Sequence, residues 1–380
     1  MRILHTADLH LGRQFNGVAL DADHDAVLAQ IAATLVEHDV DALVIAGDVF
    51  DRASPPASAV RRFNGFLSRV ASETRAAVVA IAGNHDSGDR IEAMSILTDG
   101  DRALIRGVLD AEERPLVLRD RHGPVAFTGL PFAYEYAARE RFGDETIRNP
   151  EDVLRAQIAA ARPHVPEGAR RVIVAHAFVS GGVSGDAERP LTRVGGVETV
   201  GPEVFDGAHY VALGHLHRPQ RVGAPHVRYS GSPLAFGFDE ADAPKSMSLV
   251  DLDGEGRVEV RELPFAPVRR VRVVTGRHAE LLRAEPAEDL VRVVLTDEAP
   301  VIDGMKRIRE VFPNACELVY ERRAPRRDAG APGVRPAATA DPVRLVGDFL
   351  DHVREDPLSE AEREVVAATL GRIREREDAE

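Results

Sequence analysis

Five short polar motifs, each placed directly after an apolar run, constrain the fold of this chain more than any other feature. The runs are rich in Val, Ile, Leu and Ala, which is typical of buried strands. Because ligands of an α/β sheet bind outside the carboxyl ends of its strands, we expect the motifs to converge on one rim. They read DLH, GDVFD, GNHD, a single His and GHLH, and they contain Asp8, His10, Asp48, Asn84, His85, His176, His215 and His217.

Helical stretches separate the apolar runs through the first two thirds of the chain. Residues 21–39 carry apolar side chains at helical spacing behind three aspartates, which predicts an amphipathic helix. Alternating strands and helices predict a layered α/β domain with an at least partly parallel sheet. The later runs 246–251 and 258–263 are predicted to pair antiparallel across the turn at Asp253 and Gly254.

The chain is predicted to divide into four parts. Residues 1–266 would form the main domain, which ends at the segment LPFAP. Residues 267–323 alternate predicted strands and helices, and this pattern indicates a small α/β domain. Residues 324–341 are rich in Ala, Pro, Gly and Arg without apolar periodicity, as in a flexible linker. Residues 342–380 would form a helical tail.

The tail pattern predicts two short helices. Apolar residues recur at helical spacing over 346–353, and the second helix opens with Ser359 and Glu362, which have capping-box spacing. A pair this short cannot bury both apolar stripes by itself, so it either packs on the body or receives a partner.

Composition limits the partners and the compartment. The chain has 48 basic and 62 acidic side chains and a net charge of −14, so binding a polyanion requires a local cluster of positive charge. The single Cys316 excludes an internal disulfide and a multi-cysteine zinc site, and it fits a reducing compartment. Without a long apolar run or a signal-like N-terminus, the sequence predicts a cytoplasmic protein that does not enter the membrane.

The donor types in the motifs indicate metal binding. Carboxylate, amide oxygen and imidazole ligands without thiolate suit Mn, Fe or Zn. Seven donors are too many for one open catalytic ion, so we predict two divalent ions bridged by Asp48. The predicted metal ligands are Asp8, His10, Asp48, Asn84, His176, His215 and His217.

The five blocks resemble the signature of the calcineurin-like metallophosphoesterase superfamily, D-x-H, G-D-x-x-D, G-N-H-D/E, H and G-H-x-H. Segments such as MRILHTADLHLG, VDALVIAGDVFDRASPP and YSGSPLAFGFDE are similar to the SbcD family, the bacterial branch of the double-strand-break repair nucleases. The resemblance implies two central mixed sheets flanked by helices, a small α/β capping domain that helps hold DNA, and a C-terminal helical pair.

The resemblance also assigns roles at the site. One ion would be held by Asp8, His10, Asp48 and His217, and the other by Asp48, Asn84, His176 and His215. The implied ion is Mn²⁺. His85 would contact the scissile phosphate and protonate or stabilise the departing sugar oxygen. Asp51 stands where archaeal and eukaryotic relatives have a histidine, and we interpret it as orienting a ligand or the turn.

The activity implied by the resemblance is that of a metal-dependent DNA nuclease in DNA repair and recombination. Such an enzyme combines ATP-stimulated 3′-to-5′ exonuclease action on double-stranded ends with endonuclease action on hairpins and single strands. The chain lacks the spacing G-x-x-x-x-G-K-[ST], so a partner must bind ATP. The implied partner is an SbcC-type coiled-coil ATPase, with a homodimer of this chain inside a heterotetramer near the nucleoid.

The capping region supplies candidate DNA contacts. Arg269, Arg270, Arg272 and Arg277 cluster at its start, where they could meet phosphates. The alternative function is a small-molecule metallophosphatase or cyclic-nucleotide phosphodiesterase on the same fold. A phosphatase needs neither a DNA cap nor partner-binding helices, so the long C-terminal part favours the nuclease. A non-catalytic scaffold would have lost ligands, and all are present.

Overall fold

The computed structural model describes residues 1–95, 101–186, 188, 192–193, 196–197, 199–241, 243–321, 343, 346–347 and 359–377. Its strands are β1 (Arg2–Thr6), β2 (Gln14–Phe15), β3 (Val18–Ala19), β4 (Ala42–Ala46), β5 (Ala77–Ile81), β6 (Ala103–Arg106), β7 (Leu116–Asp120), β8 (Gly123–Leu130), β9 (Arg170–His176), β10 (Thr192–Arg193), β11 (Gly196–Val197), β12 (Tyr210–Gly214), β13 (Gln220–Val222), β14 (Ala224–Tyr229), β15 (Ser246–Leu252), β16 (Val258–Pro264), β17 (Val271–Gly276), β18 (Leu290–Leu295) and β19 (Ala315–Tyr320). Its α-helices are α1 (Asp21–Glu37), α2 (Ala57–Glu73), α3 (Gly88–Glu92), α4 (Glu135–Phe142), α5 (Pro150–Ala161), α6 (His278–Leu281), α7 (Gly304–Ile308) and α8 (Glu360–Glu377).

Two mixed six-stranded sheets form the centre of the main domain. The first has the order β16-β15-β1-β4-β5-β6, in which β1, β4, β5 and β6 are parallel. The second has the order β13-β14-β12-β9-β8-β7, in which β14, β12, β9 and β8 are parallel. The hairpin of β15 and β16 is antiparallel, as predicted, and pairs Leu252 with Val258 around the turn.

The two sheets pack face to face, and helices cover their outer sides. Ile3, Val44 and Val79 of the first sheet share a buried cluster with Phe127 and Val174 of the second. Helices α1 and α2 pack on the other face of the first sheet, and α5 packs on that of the second. The predicted layered arrangement of two mixed sheets between helices is therefore confirmed. The burial of apolar side chains in the three cores between these layers stabilises it.

Local sequence explains where the helices begin. Helix α1 starts at Asp21 with acidic residues in its first turn, close to the prediction of 21–39. Helix α5 starts after Asn149, whose side chain accepts a hydrogen bond from the N–H of Asp152 at 2.9 Å, and Pro150 occupies the first turn.

The capping region has its own parallel sheet of β17, β18 and β19 and its own buried core, which includes Val291, Val293 and Phe312. The sequence pattern of residues 301–311 predicts a helix, and the helix in the structure is shorter. It spans only Gly304–Ile308, because Asp303 adopts a left-handed φ of 53° and the chain turns there before the helix begins.

The chain divides into two compact units, residues 1–321 and 322–380. In the second unit, α8 follows Ser359, whose hydroxyl accepts from the N–H of Glu362 while the Glu362 carboxylate accepts from the N–H of Ser359, so the predicted capping box is confirmed. The predicted linker 324–341 and most of the predicted helix over 346–353 lie outside the described residues. Within the described ranges, every helix is too short or too polar to span a bilayer.

Candidate metal centre

The carboxyl ends of five parallel strands bring the sequence motifs together. Asp8 follows β1, Asp48 follows β4 and Asn84 follows β5 in the first sheet. His176 ends β9 and His215 follows β12 in the second sheet. Backbone hydrogen bonds then join neighbouring turns, such as the bond of 3.0 Å from the N–H of His10 to the carbonyl of Asp48. The two sheets therefore meet at the predicted rim.

Several of these residues adopt a backbone conformation that side-chain-bearing residues avoid. A positive φ costs roughly 1–3 kcal/mol for a residue with a Cβ, and it persists only where the surrounding structure enforces it. Half of the eight positive-φ residues other than glycine in the described chain are predicted metal ligands, namely Asp8 (54°), His10 (45°), Asp48 (50°) and His215 (104°). The turns therefore aim donors inward in spite of the local backbone strain.

Two motif glycines are required because the backbones approach closely here. A Cβ at Gly83 would lie 2.2 Å from Oδ1 of Asp48, and a Cβ at Gly214 would lie 1.9 Å from the carbonyl oxygen of Ala46. At Gly83 the backbone nitrogen of Asp48 is almost as close as its Oδ1, so rotating the Asp48 side chain would not make room. Any larger residue at these positions would push the donor turns apart.

Asp48 sits between the two halves of the site. Its Oδ1 accepts a hydrogen bond from the N–H of His85 at 2.9 Å. Its Oδ2 lies 3.6 Å from Nε2 of His10 and 3.6 Å from Nε2 of His176. One carboxylate oxygen is therefore fixed by the backbone, and the other faces both imidazoles.

Asn84 and Asp8 complete the two sides. The Oδ1 atom of Asn84 lies 2.9 Å from Nε2 of His176 and 3.0 Å from Nδ1 of His215. On the other side, Asp8, His10 and His217 present ligand atoms that all lie within 4.8 Å of one another. All seven predicted ligands thus converge on one centre.

The electrostatics of the centre fit a divalent cation. Burial lowers the pKa of His10, His176 and His215, so these imidazoles are neutral, which is the form that binds metal. Burial and the neighbouring Asp48 carboxylate raise the pKa of Asp8 well above its usual value, because two buried carboxylates repel without a positive charge between them. Both ring nitrogens of His10 are buried without a hydrogen-bond partner among the described residues. A cation bound at one of these nitrogens would satisfy it.

His85 and Asp51 lie beside the predicted ligands. Nδ1 of His85 lies 2.8 Å from the backbone carbonyl of Asp51, and its ring centroid lies 4.8 Å from that of His10. The Asp51 carboxylate lies 3.7 Å from Nδ1 of His10 and accepts from Arg13 at 3.2 Å. Asp51 therefore contacts one predicted ligand and fixes the ring of His85.

Sequence reasoning missed three groups that support the donors. The Asp86 carboxylate accepts from the N–H groups of Val49, Phe50 and Gly83, so it binds the GDVFD turn to the GNHD turn. Because Asp86 is the last residue of the GNHD motif, the sequence could have identified it as a residue of the site. Burial raises the pKa of Asp86 to about 7, with the Asp48 charge adding to the effect.

The other two supports hold His217. Its backbone N–H donates to the Glu188 carboxylate at 2.6 Å, and Nζ of Lys245 donates to its carbonyl at 3.0 Å. Lys245 also pairs with Glu240, whose Oε1 lies 3.4 Å from Nδ1 of His217. Nothing local in the sequence marked these residues, because the contacts join segments that only the fold brings together.

The four candidate arginines of the capping region differ in their surroundings. Arg269 pairs with the buried Asp23 and donates to the carbonyl of Ala19, so its guanidinium ties the capping region to α1. Arg272 pairs with Asp289 at 3.1 Å. Arg270 and Arg277 are both exposed. A DNA contact at Arg269 would require breaking its pair with Asp23, so the prediction moves to Arg270 and Arg277.

Two family models match this chain. The model of the calcineurin-like phosphoesterase family matches residues 1–219. A second model, for the SbcD C-terminal region and described as the type 5 capsule protein repressor C-terminal domain, matches residues 264–354. Among solved structures, the crystal structure of TT1561 of Thermus thermophilus is 16% identical with a TM-score of 0.40, and the match covers 69% of this chain and 98% of that one.

The first family match spans more than half of the chain and includes every predicted ligand. This family hydrolyses phosphoesters with bound divalent metal ions, which agrees with the oxygen and imidazole donors described above. The chain therefore belongs to the calcineurin-like phosphoesterase family, as an SbcD-type member of the metallophosphoesterase superfamily.

Proposed function

We propose that this chain is the nuclease subunit of an SbcCD-type DNA repair complex and hydrolyses DNA phosphodiesters with two divalent ions, with Mn²⁺ as the preferred ion. The observation that carries the proposal is the position of Asp48 Oδ2, at 3.6 Å from an imidazole of each half of the centre. A carboxylate so placed would be available to two ions, which would supply the positive charge that stabilises a phosphodiester as it is hydrolysed. The SbcD-type match over residues 264–354 supports DNA as the substrate.

His85 is the residue best placed to move a proton. Because a carbonyl oxygen only accepts, the contact with Asp51 means that Nδ1 of His85 carries the hydrogen. In its protonated form His85 would give the hydrogen on Nε2 to the departing sugar oxygen, and the neutral ring would then take a proton from solvent. The ring of His85 lies beside that of His10, with 4.8 Å between the centroids, so we place it next to the bound phosphodiester. Bound cations would polarise the phosphorus and favour attack by water.

DNA binding needs local cations because the chain carries a net charge of −14. Arg270 and Arg277, at the surface of the capping region, are the proposed phosphate contacts. The proposed partner is an SbcC-type coiled-coil ATPase, bound through the C-terminal helices, with two copies of this chain in the assembly. The proposed substrates are double-stranded ends and hairpins.

The test uses purified full-length protein with two substrates in parallel, an end-labelled linear duplex and bis-p-nitrophenyl phosphate. Each is incubated with Mn²⁺, Mg²⁺ or EDTA, with and without the SbcC-type ATPase and ATP. Mn²⁺-dependent degradation of the duplex that disappears in Asp48→Ala is the expected result. Hydrolysis of the small ester with the duplex intact under every condition would replace the proposal with a small-molecule phosphodiesterase or phosphatase.

A further inference from the structure

A row of three aromatic side chains beside the metal centre has no part in the chemistry above. The ring centroids of Phe132 and Tyr134 lie 5.2 Å apart at an interplanar angle of 82°. Those of Tyr134 and Tyr136 lie 5.7 Å apart with planes only 12° from parallel. The exposed fractions are 49% for Tyr134 and 64% for Tyr136, the largest of any aromatic side chain among the described residues. Such stacked and exposed rings offer an open face to a ligand.

The backbone fixes this row to the metal centre. The N–H of Phe132 donates to the carbonyl of Ala82 at 2.9 Å, two residues before Asn84. Tyr134 then precedes the first residue of α4, and Tyr136 lies in its first turn. One open groove of about 840 Å³ is lined by Asn84, Phe132 and both tyrosines. A molecule held at Asn84 can therefore extend along the groove to the tyrosines.

The charges in the groove disfavour a phosphate as its main occupant. Arg141 is the one basic side chain among its described lining residues, and it lies 3.8 Å from the Asp110 carboxylate. Asp89 and Glu140 line the same groove and would repel an anion. A neutral planar group with hydrogen-bond donors suits these walls. A nucleobase is such a group, and bases stack on exposed aromatic faces.

We propose that Tyr134 and Tyr136 form a stacking subsite for an unpaired nucleobase next to the phosphodiester held at the metal centre. The inference rests on the proposed nuclease function and adds that the strand reaches the centre with its local base pairs open. Every base presents a π face, so the subsite selects for an unpaired strand rather than for a sequence.

Two phosphodiesters with the same leaving group test the subsite, thymidine 5′-(p-nitrophenyl phosphate) and methyl p-nitrophenyl phosphate. In the Mn²⁺-loaded protein, Tyr136→Ala should raise the KM for the thymidine ester about 5- to 150-fold, the range that stacking on one aromatic residue provides. The kcat/KM for the methyl ester should be unchanged. Tyr136→Phe should behave as the wild type because it keeps the ring, and Tyr320→Ala, on β19, is the matched control for loss of an exposed tyrosine.

A DNA substrate gives the second readout. The wild type should cleave a duplex with a 3′ single-stranded overhang faster than the same duplex with abasic overhang nucleotides, and Tyr134→Ala and Tyr136→Ala should reduce this difference. Equal KM values of wild type and Tyr136→Ala for the thymidine ester, with DNA still cleaved, would overturn the subsite alone. If the wild type hydrolyses the methyl ester but leaves DNA intact, the proposed function fails and the subsite fails with it. Loss of methyl ester hydrolysis in Tyr136→Ala would assign the tyrosines to the support of the metal centre and would also overturn the subsite.

Discussion

The Oδ1 atom of Asp48 accepts a hydrogen bond from the backbone N–H of His85 at 2.9 Å, so the predicted bridging ligand also fixes the turn that carries the predicted proton donor. The two functions of the Asp48 side chain use different oxygens, since Oδ2 faces His10 and His176. Substitutions at the two residues can therefore separate metal binding from proton transfer.

Asp48→Asn should keep the fold and lose the metals. The amide retains an oxygen that can accept from His85, but it removes the negative charge that a bridging ligand supplies. Hydrolysis of bis-p-nitrophenyl phosphate should fall more than about 100-fold, because even outer partners of metal ligands cost roughly 10–100-fold. Metal content by mass spectrometry and circular dichroism check the two halves of the prediction. Asp206→Asn, at an exposed position, is the control, and an unchanged Mn²⁺ content in Asp48→Asn would contradict the bridging role.

His85→Ala should show the reverse pattern. The Mn²⁺ content should stay at the wild-type level, because His85 is not one of the seven predicted ligands and its Nδ1 contacts the carbonyl of Asp51. Cleavage should fall by about 10²–10⁴-fold, the usual contribution of a general acid. The loss should be smaller for a substrate with a good leaving group, such as a p-nitrophenyl ester, than for DNA. Loss of the metals in this variant would reassign His85 as a ligand, and His122→Ala at an exposed position serves as the control.

Lys245→Met should weaken metal binding without removing a ligand. The buried ammonium of Lys245 donates to the carbonyl of His217 and to Ser232 Oγ, so its loss frees the backbone that carries a predicted ligand. We expect Mn²⁺ affinity to fall about 10- to 100-fold and activity to return at high Mn²⁺. Titration of activity against Mn²⁺ measures the shift. The control is Lys306→Met, at the only other lysine of the chain, which is exposed and should leave the titration unchanged. If excess Mn²⁺ does not restore the activity of Lys245→Met, the positioning role is refuted.

His5 should make the protein less stable at acid pH. It is fully buried between the Tyr210 hydroxyl and the Leu213 carbonyl, and burial lowers its pKa to about 3. Below about pH 6.5, His5 binds a proton in the unfolded chain but stays neutral in the folded chain. The contribution of neutral His5 to the free energy of unfolding is therefore complete above about pH 6.5 and is lost as the pH falls toward 3. At pH 5 the loss is about 2 kcal/mol in the free energy of unfolding.

The variant His5→Gln removes this titration while keeping a donor and an acceptor. Urea denaturation at pH 7 and pH 5 should show a smaller loss of stability for His5→Gln than for the wild type. His122→Gln, at an exposed position, should follow the wild type at both values. Parallel pH dependence of His5→Gln and the wild type would mean that His5 does not carry the effect.

The sequence predicted that the seven candidate ligands would lie together, and this could be inferred because their signal is local. Each predicted ligand belongs to a short motif after a strand, and the parallel pairing of β1, β4 and β5 was enough to bring Asp8, Asp48 and Asn84 to one rim. The supports of His217 escaped prediction, because Glu188 and Lys245 lie 29 and 28 residues from it along the chain. Arg269 shows the same limit, since its partner Asp23 is 246 residues away.

The hydrogen bond from the N–H of His215 to the Asp8 carboxylate, at 3.0 Å, joins residues 207 positions apart and on different sheets. We expect that amide to exchange with deuterium when the two sheets separate at this rim. Its exchange rate therefore reports the stability of the catalytic rim and of the fold as one quantity. A destabilising change anywhere in the shared inter-sheet core should shorten the lifetime of the active site by the same factor.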